Sequence, residues 1–184
     1  MNSVALTLLH RCAKIWRKVS SREDSYLNTH TKIEDKFMTS LYHKAQISGG
    51  GAPVVIVSGA TGAIGKAIAR QIAAEGGYTV VLLGRDEQKT QEAVQEIRRA
   101  SGNDNVWYEL ADVSRKSSIH SLAELWPGGL DVLINNAAIG PRRRQETAEG
   151  IELQFATNVL GYVWMTQAFS EQLKQCAPSR VVNV

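Results

Sequence analysis

Cysteine is scarce: Cys12 and Cys176 are the only two in 184 residues, far apart and without CxxC spacing. Their separation argues against a disulfide framework or a zinc site, and a reducing compartment is expected. Four prolines and 15 glycines are too few for a low-complexity or collagen-like chain. No stretch approaches the roughly 20 apolar residues of a membrane-spanning helix, so a spanning segment is excluded. The sequence has 43% hydrophobic and 21% charged residues, the balance of one ordinary globular domain. Its net charge of +3 is unevenly placed: residues 1–50 hold 8 Lys/Arg against 4 Asp/Glu, and residues 51–184 hold 13 against 14. A near-neutral main body without a basic stripe or interleaved aromatics excludes nucleic acid as its partner.

The basic excess lies in a leader. At helical spacing Val4, Leu8, Leu9, Cys12, Ile15, Trp16 and Val19 fall on one side, and His10, Lys14, Arg17 and Lys18 on the other. Such an Arg-rich, acid-poor amphipathic segment suits a mitochondrial-type targeting peptide or a contact with an anionic membrane surface through residues 4–18. The bland alternative is an extra surface helix or a disordered leader on a cytoplasmic protein. A short helix is expected around Lys36 to Ala45, and Gly49-Gly50-Gly51 reads as a hinge. The expected organisation is therefore a leader and linker over 1–50 and a folded domain over 51–184.

From Ala52 onward short apolar runs alternate with helical stretches. Val54 to Val57, Thr79 to Leu83, Val106 to Leu110, Leu130 to Ile134 and Arg180 to Val184 read as five strands. Helices are predicted over Lys66 to Glu75, Asp86 to Ala100, Lys116 to Leu125 and about Gly150 to Gln175, the last largely buried through Leu153, Ala156, Leu160, Val163 and Trp164. Strands alternating with helices call for a doubly wound α/β fold of Rossmann type, a parallel sheet of about five strands with right-handed crossovers.

Between the first strand and first helix lies Ser58-Gly59-Ala60-Thr61-Gly62-Ala63-Ile64-Gly65. Gly59 suits the tight turn, Gly62 lets backbone approach a pyrophosphate, and Gly65 lets the helix pack closely on the strand. Thr61 and Ile64 share that turn as expected cofactor contacts. A P-loop does not fit, because Gly59 and Gly65 enclose five residues and Ala67, not Ser or Thr, follows Lys66. The second strand ends in Gly84-Arg85-Asp86: Arg85 suits the 2′-phosphate of NADP, while Asp86 suits either a ribose or a helix cap. Asp112, followed by Val113, suits either the adenine amino group or a turn cap.

These segments, with Asn135-Asn136-Ala137-Ala138 and Asn158-Val159-Leu160-Gly161, resemble the short-chain dehydrogenase/reductase family over about Ala52 to Val184. Arg85-Asp86 with Lys89, and Thr147 to Glu152 followed by Phe155 and Asn158, are similar to its retinol dehydrogenase branch. The resemblance implies that Asn135 to Ala138 support the sheet and line the cofactor site through Asn136 and Ala137, with Ala138 in place of the usual glycine. It implies a catalytic part for Asn158, whose backbone carbonyl holds a proton-relay water. The family's catalytic serine and Tyr-x-x-x-Lys pair have no counterpart here: none of the five tyrosines has Lys four positions later. The glycine spacing is also similar to the family's extended branch.

The expectation is thus the N-terminal, cofactor-binding part of an NADP-dependent oxidoreductase, interconverting an alcohol and a carbonyl, with an apolar substrate if the branch resemblance holds and with no metal. The alternatives are a non-catalytic NAD(P)-binding regulatory module and a fragment of an extended-branch epimerase or dehydratase.

Overall fold

A computed structural model describes residues 51–184. The leader, the Lys36–Ala45 helix and most of the glycine hinge fall outside the described residues. Five strands form one sheet: β1 (Val54–Ser58), β2 (Thr79–Gly84), β3 (Val106–Leu110), β4 (Val132–Asn135) and β5 (Arg180–Asn183). Every neighbouring pair is parallel and the order is β3-β2-β1-β4-β5. Strands covered on both faces read as continuous apolar runs, and β1 (VVIVS) and β2 (TVVLLG) are buried at every position.

Side chains alternate between the two faces. Val55, Val57, Val80 and Leu82 meet Ala69, Ala73, Ala93, Val94 and Ile97 from α1 (Ala63–Glu75) and α2 (Glu87–Ser101). Ile56, Val81, Leu83 and Leu133 take the opposite face. α3 (Lys116–Glu124) packs on the helix Gly161–Ala168, labelled α5 below. There Trp126 meets fully buried Phe169 edge-on at 5.4 Å.

Local signals explain where the helices stop and start. The Asp86 carboxylate accepts from Lys89 N–H at 3.0 Å and caps α2, while Gly102 at φ +69° closes it by donating to the Arg98 carbonyl. α1 begins at Ala63, three residues before the first position that periodicity marks, because the glycine turn itself leads into it.

The last long helix departs most from expectation. It is broken into α4 (Leu153–Phe155), a π-helical turn (Ala156–Leu160), α5 and α6 (Ser170–Gln175). Nor is it largely buried: Ala156 is buried, but Phe155, Val159 and Val163, at every fourth position, are 49%, 47% and 45% exposed. An apolar composition gives no measure of how much of a helix its neighbours cover. Among the described residues β5 pairs with β4 alone, and all four of its residues are exposed.

Candidate functional site

In a sheet of this order the connections leave β1 and β4 toward opposite sides, and a crevice opens at the strands' carboxyl ends. A cleft of about 420 Å³ lies there. Its wall includes every residue that the sequence marked for cofactor contact: Gly59, Thr61, Gly62, Ile64, Gly65, Arg85, Asp112, Val113, Asn136 and Ala137. Ala138, Ile139 and Thr157 line it too. Ile139 carries no sequence signal beyond following the Asn-Asn-Ala-Ala run, and Thr157 faces the cleft through the π-helical turn, which periodicity does not show.

The three glycines differ in how strictly the fold requires them. Gly59 has φ +65°, and a Cβ on it would lie 2.7 Å from Ala137 Cα. A Cβ on Gly65 would lie 2.5 Å from both the Gly59 carbonyl oxygen and Asn136 Nδ2. Gly62 has ordinary extended backbone, φ −79° and ψ 163°, and a Cβ there would meet only the Gly59 carbonyl oxygen at 3.4 Å. The fold itself therefore leaves room for a side chain at Gly62, on the cleft wall. Gly62 is also the N-cap of α1, which has no side-chain cap and no acid in its first turn. The first-turn amides and the positive end of the helix dipole are left for an anion.

A buried hydroxyl joins the two halves of the crevice. Ser58 Oγ accepts from Asn136 N–H at 2.9 Å and Ala137 N–H at 3.1 Å, and donates to the Ile134 carbonyl at 3.3 Å. Asn136 Nδ2 returns a hydrogen bond to the Ser58 carbonyl at 2.9 Å. Sequence reading assigned Ser58 no role; a polar residue closing an otherwise apolar strand was the available signal. Asn135 is fully buried, and its Nδ2 donates to Asn183 Oδ1 at 3.0 Å, tying β4 to β5.

Two carboxylates left open by the sequence find partners. Asp86 Oδ1 caps α2 and Oδ2 lies 3.8 Å from Lys89 Nζ, whereas Arg85 lines the cleft and is exposed. Asp112 Oδ1 accepts from Ser114 N–H at 3.0 Å and Ser114 Oγ at 2.7 Å, capping its turn while Asp112 stays on the cleft wall.

Asn158 is not on that wall. Its side chain brackets one backbone unit, Oδ1 accepting from Ile139 N–H at 2.9 Å and Nδ2 donating to the Ile139 carbonyl at 3.0 Å. It sits within the π-helical turn, a local irregularity common at functional sites. Nearby, Gly161 lets the helix approach the Val113 carbonyl, which a Cβ would meet at 2.8 Å. Burial pushes the Tyr162 phenol above its ordinary range, and its hydroxyl donates to the main-chain oxygen of Val184 at 3.4 Å.

The family model for short chain dehydrogenase covers residues 53–184, and the chain belongs to the short-chain dehydrogenase/reductase family. Its relatives place it in the retinol dehydrogenase-like branch. It is 38% identical over 134 residues to human Retinol dehydrogenase 11, covering 71% of this chain and 42% of that protein. It is 35% identical over 152 residues to mouse Retinol dehydrogenase 13 (77% and 45%), and 39% identical over 131 residues to bovine Dehydrogenase/reductase SDR family member 12 (70% and 41%). The chain thus spans less than half the length of these relatives. Among solved structures, an alcohol dehydrogenase from Thermococcus sibiricus complexed with 5-hydroxy-NADP aligns with TM-score 0.59 at 27% identity, covering 72% of this chain and 57% of that one. A metagenomic short-chain oxidoreductase in complex with NADP aligns with TM-score 0.61 at 28% identity, covering 71% and 61%.

Proposed function

We propose that residues 51–184 are the NADP-binding part of an oxidoreductase that interconverts an alcohol and a carbonyl compound. The observation that carries this reading is Gly62: neither its backbone conformation nor its packing requires glycine, yet it lines a cleft at an uncapped helix N-terminus. A dinucleotide pyrophosphate needs that clearance and those amides. Arg85 supplies the choice between NADP and NAD. With Asp86 engaged as a helix cap, the group presented to the cleft from the end of β2 is a guanidinium, which forks onto a 2′-phosphate. NADP-bound relatives of the same fold support the same cofactor.

When bound, the nicotinamide supplies or accepts hydride. The chain's own residues hold the phosphates at the α1 N-terminus, anchor the adenosine end through Arg85 and Asp112, and keep Ala137 and Ile139 in place through the Ser58 and Asn158 hydrogen bonds. Proton transfer to or from the alcohol oxygen needs a positioned acid/base group. The tyrosine–lysine pair that serves this purpose in the family is not among these residues, so the 184-residue chain is expected to bind NADPH but not to oxidise it with added carbonyl compounds. Substrate-dependent loss of NADPH absorbance above background would show that another group serves as the acid. The retinol dehydrogenase relatives support this reading over the extended branch.

Cofactor choice is tested by titrating the chain with NADPH and NADH. NADPH is expected to bind at least about tenfold more tightly, and Arg85→Asp to erase or reverse the preference. Equal affinities in the unmodified chain would remove Arg85 from the reading.

A further inference from the structure

The near-neutral charge of residues 51–184 conceals one local excess, Arg142-Arg143-Arg144, in the segment that leaves the cleft wall after Ile139. The path of this segment is fixed at both ends. Asn158 brackets Ile139 at one end. At the other, Leu153 N–H donates to the Gln145 carbonyl at 2.9 Å and Thr147 N–H to the Ile151 carbonyl at 2.8 Å. Only Gly140 to Arg144 lie between these anchors, so Arg142 and Arg143 follow the cleft-lining Ile139 by three and four residues.

The three guanidinium groups are not equivalent. Arg144 is paired with Glu146, Nη2 to Oε1 at 3.0 Å. Arg142 and Arg143 are exposed and make no hydrogen bond or ion pair among the described residues. The neighbouring carboxylates are engaged elsewhere: Glu146 by Arg144, and Glu152 by the amides of Gln154 at 2.9 Å and Phe155 at 2.6 Å, which hold its carboxyl below the ordinary range. Glu149 is exposed on the following turn and pairs with neither arginine. Two adjacent like charges repel, and among the described residues no carboxylate pairs with either.

The 2′-phosphate of the cofactor does not account for them. Arg85 follows β2 and this loop follows β4, on opposite sides of β1, about 10 Å apart at the ordinary strand spacing. The two arginines therefore belong to the loop on the β4 side of β1, the side opposite Arg85, which is the substrate side if the adenosine is held at Arg85 and Asp112.

We propose that Arg142 and Arg143 form an oxyanion-recognising rim, and that the substrate of this site is an alcohol or carbonyl compound that also carries a carboxylate or phosphate. This deepens the proposed function and rests on it for the direction of the cofactor. It replaces a purely apolar substrate with an amphipathic, anionic one. Guanidinium groups suit the role because their planar fork matches both oxyanions.

The test compares binding of para-carboxybenzaldehyde and para-tolualdehyde, matched in shape and different in charge, to the full chain with and without NADPH. The carboxylated aldehyde is expected to bind about tenfold more tightly at low ionic strength, with the difference shrinking as salt is added. Arg142→Gln with Arg143→Gln should erase the difference and leave NADPH affinity unchanged, while the double Lys variant should retain part of it. Equal binding of the two aldehydes, or a preference that survives the double Gln variant, overturns the proposal. So does the alternative source of the same chemistry: no aldehyde preference, but arginine-dependent sedimentation with phosphatidylcholine vesicles only when phosphatidylserine is included. The NADPH titration is scored separately, since a chain that fails to bind NADPH sinks the cofactor reading, while the aldehyde comparison without NADPH still decides the role of the arginines.

Discussion

Gly62→Val is expected to leave the melting temperature of the chain nearly unchanged while weakening NADPH binding by about a hundredfold or more, roughly 2.7 kcal/mol. The two effects separate because of where the new side chain goes. On the protein side a Cβ meets only the Gly59 carbonyl oxygen at 3.4 Å, an ordinary contact, and the extended backbone at φ −79° accepts a β-branched residue. On the other side lies the cleft, where two methyl groups occupy the space through which phosphate oxygens reach the first-turn amides of α1. Gly59→Ala is the informative contrast. Its Cβ lies 2.7 Å from Ala137 Cα at a positive φ, so that variant should lose stability as well as binding. Thermal melting and a fluorescence titration with NADPH measure both quantities, and a folded Gly62→Val protein with full affinity would place the dinucleotide elsewhere.

Ser58→Ala is expected to cost about 2–4 kcal/mol of stability, lowering the melting temperature by roughly 10 °C or more. Ser58 is 1% exposed, and its hydroxyl serves two amides and one carbonyl. Removing it leaves the amides of Asn136 and Ala137 without that acceptor where water has little access, and an unsatisfied buried donor costs about 1–3 kcal/mol. Because both residues line the cleft, affinity for NADPH should fall together with stability. Calorimetry of the variant beside the unmodified chain decides this, and an unchanged transition would mean that other groups satisfy those amides.

The branch of the family to which the chain belongs sets a frame for both results without supplying the substrate. The aligned region covers 42% and 45% of two of these relatives, so the family is shown over this region while a substrate is not. The arginine rim adds a feature that the near-neutral charge of the domain hides, since charge counts average over a sequence and recognition depends on which charges are left unpaired in one place.

The local grammar of this protein was legible from its residues. β-branched runs marked the strands, and β3 spans Val106–Leu110 as read. Asp86, Arg98, Arg99 and Gly102 delimited α2 because capping and dipole effects act within one turn. That the glycine turn and the ends of β2 and β3 would share one cleft was legible because a β-α-β alternation brings strand ends to one edge. Tertiary structure alone decided which partners those residues take. Ser58 bonds Asn136 across 78 residues of chain, and Asn158 reaches back 19 residues to brace Ile139 instead of facing the cleft. It also assigned Asp86 to a helix cap, exposed the Phe155, Val159 and Val163 stripe, and distinguished Gly62 from Gly59 and Gly65. Periodicity reports the face a residue occupies on its own element, whereas contact, clearance and exposure depend on which distant segment arrives beside it.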